Sequence, residues 1–119
     1  MDNSYKVLKM IFFTYIIFIA FMSFYPSPPE TPTSDKLNHF IAFFVMAVLY
    51  RISFQGSYWA NFFIAIIYGA FIEIVQSFLP YRYAEYADFI ADVFGALCGM
   101  FFIFVLELGI TIIKENKRW

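Results

Sequence analysis

The stretch MIFFTYIIFIAFMSFY, residues 10–25, runs for sixteen positions without a charged side chain. Extended back to Val7, it covers about residues 7–25, close to the roughly 20 apolar residues a helix needs to cross about 30 Å of hydrocarbon. Lys6 and Lys9 at its start resemble the head of a signal peptide. However, the run is long for an h-region and no small-x-small cleavage site follows. It is expected to remain as a first spanning helix.

Three further segments have similar character, at about residues 37–54, 59–79 and 88–113. The second has a short uncharged centre, FIAFFVMAVLY, which puts His39 and Arg51 at its two interfaces, the arginine snorkelling. The third contains Glu73, and the fourth contains Asp92 and Glu107. The connections are PSPPETPTSD, whose four prolines forbid helix, RISFQGSY, with Gly56 at the turn, and PYRYAEYA, where Pro80 marks a helix boundary. Short connections make successive helices antiparallel. The fold class that follows is an all-α integral membrane bundle of four transmembrane helices in a single domain, residues 1–119.

Composition agrees. Of the 119 residues, 62% are apolar and only 14% charged, against about half and a quarter in a soluble domain. That balance argues against a water-soluble enzyme. Eighteen Phe and nine Tyr exclude disorder, and a net charge of −1 gives no attraction to nucleic acid. Cys98 is the single cysteine, so neither a disulfide framework nor a cysteine-rich metal site is available.

Six basic residues (Lys6, Lys9, Arg51, Lys114, Lys117 and Arg118) fall on one side of this topology, against Lys36 and Arg82 on the other. The positive-inside rule then puts both termini in the cytoplasm and the first and third loops outside. The same topology gathers the unusual polar residues at the outer face. Asp35, Lys36 and His39 open the second helix, Glu73 and Gln76 lie near the end of the third, Arg82 is in the loop, and Asp88 and Asp92 open the fourth. Lys36 and His39 share a helix face at i,i+3, as do Glu73 and Gln76, while Asp88, Asp92, Gly95 and Gly99 form one stripe. At 1.5 Å per residue, Glu73 lies about 9 Å and Asp92 about 6 Å inside their helix ends. Ionisable groups at such depth usually face a bundle interior or an aqueous pocket, so an outward-opening polar site is expected.

Each residue also has a plainer reading. Asp35 and Asp88 have the position of helix caps, and His39 that of an interfacial side chain bonded to a loop carbonyl. Lys36 and Arg82 are suited to lipid phosphate. Glu73 and Asp92 are suited to a buried ion pair with either cation that sets helix register. Glu107 stands apart, at the cytoplasmic interface. Gly95 and Gly99, four apart, allow close backbone approach, either within the monomer or across a dimer; packing against the second or third helix is expected. Tyr81, Tyr83, Tyr86, Trp59 and Trp119 read as interfacial belts.

Taken together, DKLNHFIAFFVMAVL, GAFIEIVQSFLPYR and DFIADVFGALCG closely resemble the VanZ-like membrane proteins of bacteria. The resemblance rests on Asp35, Lys36 and His39; Glu73, Gln76, Pro80 and Arg82; and Asp88, Gly95 and Gly99, over residues 35 to 99. Asp92 departs from it, because many members carry asparagine there; the added negative charge calls for a cation or a proton. The resemblance implies a bacterial plasma membrane. It also implies a link to teicoplanin, the lipid-tailed glycopeptide for whose resistance the family is named.

Three functions fit these residues. In the first, a non-enzymatic envelope protein holds an anionic amphiphile, a lipoglycopeptide or a lipid-linked wall precursor, through Lys36, His39 and Arg82, with Glu73, Gln76 and Asp92 orienting it and Asp35 and Asp88 alongside. In the second, a membrane enzyme works on a lipid headgroup with His39 or Glu73 as general base; a variant sets a divalent cation among His39, Glu73, Asp88 and Asp92, although their spacing is no recognised metal motif. In the third, the polar cluster only holds the helices together. Membrane lipids are the expected partners, and neither a resident cofactor nor a metal is expected.

Overall fold

Each apolar segment becomes one helix. The computed structural model describes residues 3–25, 35–81 and 85–116. They form α1 (Asn3–Phe24), α2 (Asp35–Phe54), α3 (Tyr58–Ser77) and α4 (Tyr86–Asn116). All four are long and apolar enough to cross a membrane. Arg82, Tyr83, Trp119 and the proline-rich connection from 26 to 34 lie outside the described residues.

Helix ends differ from expectation for local reasons. Ser57 caps α3 by accepting from the Ala60 amide at 3.1 Å. Gln55, not Gly56, takes the left-handed conformation between α2 and α3, with φ of 55°. Helix α3 ends at Ser77 rather than near Leu79, because Pro80 disfavours helical backbone in the residue before it. Helix α4 starts at Tyr86, two residues before Asp88. The Glu85 carbonyl accepts from the amides of Asp88 and Phe89, so Glu85 holds the cap position. The cap reading of Asp88 is thereby corrected: it lies within the first turn, where its charge still complements the helix dipole.

The largest interface joins α2 to α4, with α3 packed on α4 and α1 on α2. These two helices are parallel and in register. Lys36 meets Asp88 at a sequence separation of 52, His39 meets Asp92 at 53, and Arg51 meets Glu107 at 56. Between those contacts the backbones nearly touch. A Cβ on Gly95 would collide with the carbonyl oxygen of Phe40, and one on Gly99 would lie 2.5 Å from that of Phe44. The glycine pair therefore seats α4 on α2 inside the monomer.

The interior carries polar side chains, while much of the outer surface is apolar. Ser53, Asn61, Gln76, Asp88 and Asp92 are buried beside Phe43, Met46, Ala65, Ile72 and Ala96. Phe63, Ile67, Phe71 and Ile74 on α3, and most of the apolar residues of α4 beyond Met100, face outward. Such a surface would aggregate in water and is at home in lipid. Lipid tails provide no hydrophobic drive between helices, so polar side chains tie them through backbone carbonyls. Tyr15 donates to Ala42 at 2.8 Å, Asn61 to Ala47 at 2.9 Å, Ser53 to Leu8 at 3.2 Å, and Tyr68 to Ile16.

At the far end, Arg51 forks onto both oxygens of Glu107, at 2.9 and 3.0 Å. It also donates to the Gly56 carbonyl at 2.6 Å and lies 4.7 Å from the Tyr58 ring centroid, while Tyr58 donates to Glu107 at 3.0 Å. The expected snorkelling arginine and isolated glutamate are thus one ionic clasp joining α2, α3 and α4. Asp88 and Glu107 are about 28 Å apart along α4 at 1.5 Å per residue, close to the thickness of the hydrocarbon layer.

Gly95→Val should lower stability by about 3 kcal/mol or prevent folding, because backbone rather than a movable side chain stands in the way. Gly109→Val should change little, since nothing lies within 4 Å of an added Cβ there. Thermal unfolding of both variants in one detergent checks the contrast.

Candidate functional site

The parallel seam between α2 and α4 brings two polar steps of one helix against two of the other. Lys36 and His39 are three residues apart on α2, and Asp88 and Asp92 are four apart on α4. Each basic group therefore meets the acid at its own level. The Lys36 ammonium lies 3.3 Å from Asp88 Oδ1 and 3.3 Å from Glu85 Oε1. One turn deeper, His39 Nδ1 lies 2.8 Å from Asp92 Oδ1, and Nε2 lies 3.9 Å from Asp88 Oδ2. An ionised carboxylate can only accept, so an ionised Asp92 fixes the imidazole proton on Nδ1.

Burial increases along this ladder. The Lys36 and Glu85 side chains are 48% and 54% exposed, those of His39 and Asp88 11% and 4%, and that of Asp92 0%. The site therefore runs from a wet rim to a dry floor. In such surroundings a charge needs a partner or a proton, which makes the floor the most demanding part of the cluster.

Helix α3 closes the third side. Glu73 Oε1 accepts the Glu85 backbone amide at 3.0 Å, which ties the end of α3 to the start of α4. Its other oxygen, Oε2, is buried and makes no hydrogen bond. One turn earlier on α3, Gly69 presents bare backbone to Asp92: a Cβ there would lie 3.2 Å from Oδ2 and 3.4 Å from the Phe89 ring. One donor atom each from His39, Glu73 and Asp92 lies within 4.8 Å of the others.

Between α3 and α4, beside this cluster, runs a cleft of about 340 Å³. Glu73 and Glu85 line its polar side, and Ala70, Ile74, Tyr86 and Phe89 are among its walls. It joins a charged rim to a lipid-facing surface.

The structure thus brings together Lys36, His39, Glu73, Asp88 and Asp92. Gln76 turns elsewhere: it is buried, and its amide donates to the Ser23 carbonyl of α1 at 2.9 Å. Its i,i+3 relation to Glu73 leaves the two about 60° apart around the helix, enough for them to address different neighbours. Asp35 is the first residue of α2, and Arg82 lies outside the described residues. Two participants, Glu85 and Gly69, are not among the residues the sequence singles out. Glu85 stands in the PYRYAEYA connection, and its place depends on where α4 begins. Gly69 does sit four residues before Glu73, a small residue one turn from an intramembrane acid, and that spacing was the available clue.

A family model described as VanZ/LLP1 matches residues 34–107. The chain belongs to the VanZ/LLP1 family. The matched span contains both polar levels of the α2–α4 seam, the Gly95 and Gly99 contacts and the Arg51–Glu107 clasp, whereas α1 precedes it. This VanZ-like chain is also similar to an uncharacterized protein of the yeast Schizosaccharomyces pombe, 33% identical over 118 residues, covering 95% of this chain and 67% of the relative. With a similar protein in a eukaryote, the family resemblance alone does not assign a bacterial membrane. No solved structure matches.

His39 and Asp92 should be energetically coupled. In a double-mutant cycle of His39→Ala and Asp92→Asn, the stability losses should fall short of additivity by about 1–3 kcal/mol, as expected for a buried hydrogen bond to a charged group. Unfolding of the four proteins in detergent gives the coupling directly, and additive losses would show the contact to be energetically idle.

Proposed function

We propose that this multi-pass VanZ-like protein binds the headgroup of an anionic amphiphile at the end of the bundle that carries His39. The observation that carries the reading is the cleft between α3 and α4, whose polar side holds Glu73 and Glu85 and whose walls continue onto exposed apolar helix faces. Small-molecule sites combine an apolar enclosure with a few placed polar groups, and an amphiphile requires both. Lys36 contributes an accessible positive charge at the rim, and Arg82 a second from the connecting loop. His39, Glu73 and Asp92 orient the headgroup, with Asp88 holding Lys36 in place.

With both termini cytoplasmic, as the basic residues favour, this site opens to the outer leaflet. In a bacterial plasma membrane its ligands would be envelope lipids, lipid-linked wall precursors or a lipoglycopeptide such as teicoplanin. One specific contact favours a second reading. The His39 imidazole, oriented by Asp92 at 2.8 Å, has the arrangement of a general base positioned by a carboxylate, which suits hydrolysis or transfer at the same headgroup.

Nanodiscs containing phosphatidic acid or phosphatidylglycerol should bind the purified protein's site at least tenfold more tightly than phosphatidylcholine, measured by native mass spectrometry of retained lipid. Lys36→Ala and Arg82→Ala should each erase most of that preference. An unchanged preference in both variants would sink the binding reading, and turnover that disappears in His39→Ala would favour the enzyme. Equal loss of folded protein in every variant would point to a structural cluster.

In a teicoplanin-sensitive Gram-positive host, expression should reduce susceptibility, and Glu73→Gln at matched membrane abundance should abolish the protection. Protection by both forms would leave Glu73 a structural role, and protection by neither would direct the search to native lipids.

A further inference from the structure

The proposed anion has an electrostatic difficulty. Among the described residues, Glu73, Glu85, Asp88 and Asp92 stand at this end of the bundle, with Lys36 as the neighbouring lysine. Lys36 is already shared between Glu85 and Asp88. An anionic headgroup approaching the floor of the site meets carboxylates, and in a poorly hydrated setting that repulsion is weakly screened.

We propose that His39, Glu73 and Asp92 form a divalent metal site, and that the bound ion presents a coordination position to an anionic headgroup. The second clause rests on the amphiphile reading above; the first does not. Three observations support the site. The donors come from three different helices, α2, α3 and α4, yet one donor atom from each lies within 4.8 Å of the others. Glu73 Oε2 is buried without a hydrogen bond, while its Oε1 is pinned by the Glu85 amide, so the carboxylate is held with one oxygen still available. His39 Nδ1 and Asp92 Oδ1 already stand 2.8 Å apart, as neighbouring ligands would, and an ion held between them takes the place of the proton they share.

The donor set selects the ion class. One imidazole nitrogen with two carboxylate oxygens suits Zn²⁺ or Mn²⁺ better than Ca²⁺ or Mg²⁺, which prefer oxygen alone. Bonds of about 2.0–2.2 Å place donors about 3–4 Å apart, so closure on an ion needs side-chain movements on the order of 1 Å. Three protein ligands leave a position open for a phosphate or carboxylate oxygen. The ion also offsets the two ionised acids.

The test uses the full-length protein in detergent, stripped with a chelator and titrated with Zn²⁺, Mn²⁺ and Mg²⁺ separately by calorimetry. One Zn²⁺ or Mn²⁺ per chain is expected, with affinity at least tenfold above that for Mg²⁺. Glu73→Gln and Asp92→Asn should each weaken it tenfold or more, and Glu115→Gln, far along α4, should not. Co²⁺ should give visible absorption bands that are lost in His39→Ala; this spectrum of the wild type carries the test should Asp92→Asn fail to fold. Absence of saturable binding, or equal binding by Glu73→Gln, overturns the site.

Retention of phosphatidic acid, with and without chelator, separates the two readings. Zinc binding without any preference for anionic lipid keeps the metal site and overturns the amphiphile. Lipid preference without zinc binding does the reverse. Lipid preference that persists in chelator despite zinc binding removes the bridging role.

Discussion

The closeness of α4 to α2 governs the rest of the molecule. At Phe40 and Phe44 the backbone of α2 occupies the space that side chains on Gly95 and Gly99 would need. Two parallel helices in contact at this range have little freedom to slide, since a shift of one residue would set a bulky side chain of α4 against a backbone carbonyl. The register set there propagates in both directions. It brings His39 to Asp92 and Lys36 to Asp88 at one end, and Arg51 to Glu107 at the other. Inside a membrane the glycine contact is also energetically apt, because van der Waals packing and interhelical hydrogen bonds must replace the hydrophobic drive available in water.

The two ends of the seam solve the problem of intramembrane charge differently. Arg51 and Glu107 satisfy one another with a two-pronged contact, supplemented by Tyr58 and the Gly56 carbonyl. That end is saturated and serves to hold helices together. At the other end acids outnumber bases among the described residues, Glu73 keeps a buried oxygen without a hydrogen bond, and a cleft leads to the lipid face. Burying carboxylates in this proportion is costly for a structural purpose alone, since an apolar contact of the same volume is usually at least as stabilising. The imbalance is what makes this end the functional candidate.

Much of that candidate site was legible in the chain, though unevenly. Lys36, His39, Glu73, Asp88 and Asp92 stand out because charged side chains within apolar segments are rare, and helical periodicity assigns each to a face. Gln76 shows where periodicity fails: residues three apart share a broad face, yet Glu73 addresses α4 while Gln76 bonds to α1. Arg51 and Glu107 each looked solitary, because nothing local relates residues 56 apart; only the parallel register does. Glu85 entered the site through the position of the α4 start.

The sequence by itself determined the membrane class, the four helices, their alternation and the end at which the acids collect. These follow from hydrophobic length, proline placement and the cost of placing charge in lipid, all of which are local. Only the tertiary structure decided which residues touch. It set His39 against Asp92, closed Arg51 on Glu107, turned Gln76 towards α1 and placed Gly69 against Asp92. Those choices depend on helix azimuth and on a backbone separation tuned by two missing Cβ atoms, and such quantities belong to pairs of helices rather than to any one stretch of chain.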